Sequence, residues 1–167
     1  MISLLQPLSF LTVLFSGLIA GLFYSYSCSV NPGLHGLPDL VYLQSMQSIN
    51  TAIQNGVFFL CFLGLLILLP LNAWSAYKHA SAIAFWCVLA AALLYFVGVM
   101  GVTVFGNIPL NEKLAAFRLA SASPESIAEM RRTFETPWNY FHTIRTLCAI
   151  GSFACMIFAL LVQTKTK

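Results

Sequence analysis

Formal charge is what this chain has least of. Of its 167 residues only 8% are Asp, Glu, Lys or Arg, against roughly 25% in a soluble domain. None of the four occurs before Asp39, between Asp39 and Lys78, or between Lys78 and Glu112. That scarcity excludes a water-soluble globule. The net charge of +3, scattered over the tail (Lys165, Lys167) and the last loop (Arg131, Arg132), does not form a nucleic-acid surface. Paired cysteine motifs are missing as well. Cys28, Cys61, Cys87, Cys148 and Cys155 include no CxxC, and all but Cys28 lie deep in apolar stretches, where a free thiol packs as a small hydrophobe. No basic residue precedes the first apolar run, so a cleaved signal peptide is not expected and the run is read as a membrane helix.

What the chain does have is apolar length. About 20 apolar residues cross the hydrocarbon core, and four runs qualify: roughly Leu4 to Tyr26, Ala52 to Tyr77, Ser81 to Phe105 and Tyr140 to Gln163. The expectation is an all-α, integral membrane four-helix bundle occupying residues 1–167 as one domain, multi-pass and in a bacterial inner membrane. The connection around Tyr77-Lys78-His79-Ala80 is a tight hairpin, whereas the two long connections share one side of the membrane. The first opens with a turn signal, Asn31-Pro32-Gly33, and Pro38-Asp39 then reads as the start of a helix running unbroken into the second span. On it Gln44, Gln47, Ser48, Thr51, Gln54 and Asn55 fall within about 120° of arc. The second connection is helical in pattern. Ser123-Pro124-Glu125 supplies an N-cap, a proline at the first helical position and an early acid, and Ile127, Met130 and Phe134 form one apolar stripe. This long helical connection between helices 3 and 4 is expected to lie over the bundle mouth as a lid or interfacial helix, ended by Pro137-Trp138, with Trp138 at the membrane boundary.

One charged side chain stands inside the four runs. Arg145 follows His142 by one helical turn, and a cation in a span is costly enough to suggest a function. Asn139, His142, Thr143, Arg145 and Thr146 occupy one arc of the fourth helix. Gly17 and Gly21 form a GxxxG pair on the first, continued by Tyr24 and Cys28, and this pair fits either close packing or a seam between two copies. The third contributes Thr103 and Asn107, followed by Asn111. Helices 1 and 3 end where helices 2 and 4 begin, so Tyr24, Cys28, Gln47, Asn50, Asn107, His142 and Arg145 are expected to share a semi-buried pocket. The opposite face offers only Asn72, Lys78, His79 and the tail. Each element also has a plain structural reading: Arg145 can snorkel to headgroups, and the amide stripe can be interhelical glue.

Four blocks carry a resemblance. They are Gly21-Leu22-Phe23-Tyr24-Ser25-Tyr26-Ser27-Cys28-Ser29-Val30-Asn31-Pro32-Gly33-Leu34, Met46-Gln47-Ser48-Ile49-Asn50, the run from Gly98 to Glu112, and Trp138-Asn139-Tyr140-Phe141-His142-Thr143-Ile144-Arg145-Thr146. In this order they resemble the small four-span membrane family that includes the fungal anthrone oxygenases, over nearly the whole chain. Asn31 stands where the family commonly has Met. The resemblance implies a monooxygenase that inserts oxygen from O₂ into an activated aromatic ketone, with no cofactor motif. It would need a base, a cation for the enolate oxygen and aromatic walls. His142 is the candidate base and Arg145 the candidate anion holder. Asn50 and Asn107 are candidate donors and Tyr24 and Trp138 stacking walls, with Gln47, Cys28, Asn111 and Asn139 completing the binding set. Two other classes stay open. His142, Cys28, His35 and Met46 include soft ligands for copper or haem on the same side, although without HxxxH or CxxC spacing. A non-catalytic module binding lipid or a small hydrophobic or aromatic molecule, or an accessory subunit, is the third.

Overall fold

The computed structural model describes residues 5–163, and these contain helix and no strand. The first rod is α1 (Leu5–Ser25), a wider π-helical stretch (Tyr26–Val30) and α2 (Asn31–His35). The turn expected at Asn31-Pro32-Gly33 is therefore not there. Pro32 sits in the first turn of α2, directly after the π turn, which hands over with the Asn31 N–H donating to the Tyr26 carbonyl. The chain breaks instead around Gly36–Pro38 and resumes as α3 (Asp39–Ala52).

A second correction falls at the other end of α3. The helix does not continue into the second span; it stops, and α4 (Gly56–His79) begins afresh. Asn55 is the reason. Its backbone is extended and its side chain accepts the Val57 and Phe58 N–H groups at 3.1 and 3.0 Å, which makes it an N-cap rather than a helix interior residue. The hairpin follows as expected, with Ser81 capping α5 (Ala82–Leu93).

From α5 the rod continues through π-helical Leu94–Gly101 and Thr103–Asn107 into α6 (Ile108–Ala116), so the third helix passes Phe105, where it was expected to end, without a break. Pro109 lies in the first turn of α6 and is accommodated there. A short 3₁₀ turn, Leu119–Ser121, leads to α7 (Pro124–Gln163), whose 40 residues span about 60 Å. Pro137 lies inside α7, so the expected lid is not a separate helix but the outer part of the fourth rod. Four helical stretches, Gln6–His35, Gly56–His79, Ala82–Ala116 and Pro124–Val162, are long and apolar enough to cross a membrane.

Two packed regions hold the rods. The bundle core is built on Leu65, Leu69, Val88, Ala91, Tyr95, Val99, Ala149 and Met156. Glycines let α7 approach its neighbours: a methyl group at Gly98 would collide with the Cys148 side chain, one at Gly106 with the Phe141 ring, and one at Gly17 would lie 2.9 Å from the Phe153 ring. Gly17 is thus engaged in close packing within the subunit, one of the two roles its GxxxG pair allowed, while Gly21 meets nothing within 4 Å. The second region packs Tyr42, Leu43 and Met46 of α3 against Leu114, Ile127, Phe134 and Trp138.

Arg131 ties this head together. Its guanidinium donates to the His35 and Leu37 carbonyls, to Asp39 and to Glu135, at 2.6 to 2.9 Å, and stacks over the Tyr42 ring. The carbonyls left open where α2 ends thereby gain a cationic donor. Glu135 in turn accepts from His35 Nδ1 at 2.7 Å.

Candidate functional site

Beneath the head, where the helix ends converge, lies a cavity of about 1390 Å³. Its floor and walls are aromatic: Phe23 and Tyr26 from the first rod, Phe58, Phe59 and Phe62 from α4, and Trp138 from α7. Its roof is the connection from Phe117 to Ala122. Gln47 holds that roof, its Nε2 donating to the Leu114 and Phe117 carbonyls at 2.8 and 3.1 Å. Gln44, Thr51 and Gln54 of the polar stripe also line the space.

His142 and Arg145 form its chemical centre. They face one side of α7 because they are three residues apart. His142 is 1% exposed and packed edge-on to Phe23 and Tyr26 and face to face on Trp138, with ring centroids 5.0 Å apart. Its Nε2 lies 3.2 Å from the Phe23 carbonyl, and its Nδ1 lies 3.1 Å from Arg145 Nε and 3.0 Å from Nη2. A carbonyl only accepts and a guanidinium only donates. His142 is therefore the neutral Nε2–H tautomer, with its one lone pair directed at Arg145. Thr146 fills in below: its hydroxyl donates to the His142 carbonyl at 2.7 Å and lies 3.3 Å from the Ser27 hydroxyl.

Arg145 lacks what a half-buried cation normally has. Among the described residues no carboxylate pairs with it; its contacts are His142 and the faces of Phe23 and Trp138, 4.5 and 5.3 Å from the guanidinium carbon. Burying a cation without a counter-charge is expensive, and cation–π contacts offset only part of that. The arrangement suits an anion, flat and aromatic, placed against Arg145.

The sequence expectations divide on this geometry. Gln47, Asn50, Asn111, Trp138, His142 and Arg145 all line the cavity. Asn111 acts through Trp138, whose indole N–H it accepts at 2.8 Å. Trp138 is 3% exposed and is a cavity wall, not the membrane-boundary anchor expected of it. Asn107 is buried beside the cavity, its amide donating to the Trp138 carbonyl at 3.2 Å, and Asn139 is likewise outside the lining. Tyr24 and Cys28 are corrected outright. Tyr24 is 58% exposed and Cys28 is exposed with its thiol on the Ser25 carbonyl, because α1 buries Ser9, Thr12, Ser16, Ile19, Ala20 and Phe23 and turns the Gly21-Tyr24-Cys28 face outward. His142, Cys28, His35 and Met46 do not converge either: Cys28 faces outward, His35 pairs with Glu135 at the rim, and Met46 accepts the Tyr26 hydroxyl at 3.4 Å. Among the described residues no three His, Cys, Asp or Glu side chains gather as a metal site.

Phe23, Tyr26, Phe58, Phe59 and Phe62 are lining residues that polarity alone does not single out, whereas Thr103 of the polar set does line the cavity. The usable signal was the small polar run Ser9, Thr12, Ser16 at helical spacing, which marks the buried face of α1 and leads to Phe23. A family model described as anthrone oxygenase matches residues 51–155, well over half of the chain. No curated protein and no solved structure matches.

Proposed function

The chain belongs to the anthrone oxygenase family, and from that premise we propose that it oxidises an acidic aromatic ketone with O₂ in the cavity beside Arg145. The unpaired Arg145 guanidinium between aromatic faces is the observation that carries this reading. An aryl ketone with a benzylic CH₂ loses a proton to give an enolate, whose oxygen takes the Arg145 donors. The enolate carbon reduces O₂ and forms a C–O–O⁻ bond, which is protonated to a hydroperoxide. Loss of the second C–H proton then breaks the O–O bond and leaves C=O and water. The balance is R₂CH₂ + O₂ → R₂CO + H₂O; the substrate supplies all the electrons, and no external reductant is required.

His142 is the base in this scheme. Its only lone pair, on Nδ1, is occupied by the Arg145 donors. An enolate or carbonyl oxygen drawing the guanidinium toward itself frees that lone pair for the C–H proton, and the resulting imidazolium returns it to the departing hydroxide. Trp138, Phe23 and Tyr26 supply the walls for a flat ring system. Gln47 and Asn111 are positioning residues, one holding the roof and one the indole. The same occupied Nδ1 favours a second reading, a membrane module that binds the aromatic anion without turning it over.

Oxygen consumption and product analysis with acidic polyphenolic ketones, run on purified protein beside Arg145→Gln and His142→Ala, separates the two. The proposal expects ketone-dependent O₂ uptake that both substitutions abolish while the protein stays folded. Tight ketone binding with no O₂ uptake would establish the binding module, and uptake that survives His142→Ala removes the base assignment.

A further inference from the structure

The cavity has two kinds of rim, and they face different surroundings. Toward α3 and the roof, the exposed lining mixes the polar or charged Gln54, Glu112, Arg118 and Ser121 with the apolar Leu40 and Ile108. Toward the gap between the first and second spans it is apolar. Leu22 of α1 is 38% exposed and Phe59 of α4 is 39% exposed, yet both line the cavity. They belong to helices long and apolar enough to cross the membrane, and an outward-facing surface on such a span is expected to meet acyl chains. Below them the gap is shut by Phe23 against Phe62, centroids 6.4 Å apart, and by Phe58 stacked on Phe62 at 4.9 Å. Above them the chain leaves α3 through the extended Asn55, and the first turns of α4 stand uncovered, with Val57 and Leu60 strongly exposed.

We propose that the gap beside Leu22 and Phe59 is a lateral door through which the cavity takes its ligand from the bilayer, and that this ligand is a neutral, lipid-partitioned polycyclic compound that becomes charged only inside. The second half rests on the reading of Arg145 as the enolate holder; the first does not. An anion at hydrocarbon depth costs several kcal/mol, so nothing already ionised passes a rim of Leu and Phe. The keto form of an acidic ketone is uncharged and passes it without leaving a polar group unpaired. Deprotonation beside Arg145 then traps the molecule, because the enolate cannot return through the apolar rim. Oxidation to the neutral product cancels the charge and reopens the way out. The door and the cation together select for a molecule that is apolar in one protonation state and anionic in the other.

The test uses the whole protein in nanodiscs, without oxygen, mixed with vesicles preloaded with neutral anthrone, whose own fluorescence reports uptake. Leu22→Trp and Phe59→Trp fill the gap and are expected to slow uptake at least tenfold. Leu22→Ala widens it and is expected to speed uptake about two- to threefold, so the outcome does not depend on tolerance of the larger residue. Ser121→Trp, on the polar rim, is expected to change the rate less than twofold. Slowing by Ser121→Trp without slowing at Leu22 and Phe59 overturns the door and places admission on the aqueous side, as does an unchanged rate in all three gap variants. If uptake follows the door pattern but Arg145→Gln retains the ligand equally well, the door stands and the enolate reading falls. Absence of any uptake by the unaltered protein removes both.

Discussion

Two polar groups, one fully and one half buried, lie at opposite ends of this bundle, and they are treated in opposite ways. Asn72, in the half below the cavity, is fully buried, and its amide is paired on both sides: the Ser9 hydroxyl donates to Oδ1 and Nδ2 donates to Thr12, each at 3.2 Å. Ser152 and Tyr95 likewise end on backbone carbonyls, at 2.9 and 2.7 Å. Arg145, in the upper half, has a full charge, no carboxylate partner among the described residues and a cavity in front of it. Packing around Asn72 completes its bonds, whereas packing around Arg145 gives two of its donors one shared acceptor, His142 Nδ1, and its charge no counter-ion. A satisfied polar group in a bundle holds helices together; an unsatisfied one beside a cavity is maintained for a ligand.

The sharpest way to break this contrast is at the cation. Arg145→Gln is expected to weaken binding of an acidic aromatic ketone about 100-fold, the loss of charge-assisted hydrogen bonds worth about 3 kcal/mol, while thermal stability holds or rises. A fall in melting temperature with affinity retained would make Arg145 structural, like Asn72. The mirror experiment is Asn72→Leu, which removes two bonds between α1 and α4, the one from Ser9 and the one to Thr12, and is expected to cost about 1–2 kcal/mol of stability with ligand affinity unchanged. A change in affinity there would show that the two halves are coupled.

Smaller effects test the head. Arg131→Ala removes the cation that gathers the His35 and Leu37 carbonyls, Asp39 and Glu135, and is expected to lower stability by about 2–4 kcal/mol. Hydrogen exchange should rise first around Gly36–Pro38; uniform exchange throughout would deny it a local role. Tyr42, outside the spans, gives the mildest signal. Burial, then the Glu135 carboxylate, holds its phenol above the ordinary tyrosine range. A phenol whose pKa is raised on folding stabilises below the unfolded value, about 10, and that contribution is lost as pH rises above it. Melting temperature should therefore fall above about pH 10, and Tyr42→Phe should flatten the fall.

Some of this was legible before any coordinates. His142 and Arg145 share a face because three residues separate them, and the helix ends meet because alternate spans run in opposite directions. Other features were hidden by competition between local signals. Asn55 reads equally well as the last residue of a polar stripe or as the cap of the next helix, and only the break in the chain decides. Asn31-Pro32-Gly33 and Pro137 both look like helix stops, yet Pro32 follows a π turn and Pro137 is carried inside a helix anchored on both sides of it.

The sequence by itself determined the solvent and the count: with so few charges and four long apolar runs, this chain crosses a membrane four times and brings its polar ends to one side. Which face of each helix turns inward was decided only by the tertiary structure. In water, burial follows polarity; in lipid the outside is as apolar as the core, so an apolar helix has no strong preference of its own. Phe23 and Tyr26 point in and Tyr24 and Cys28 out because glycine contacts, small polar pairs and the Arg131 clamp fix the rotation of neighbouring rods, and those exist only once the bundle is assembled.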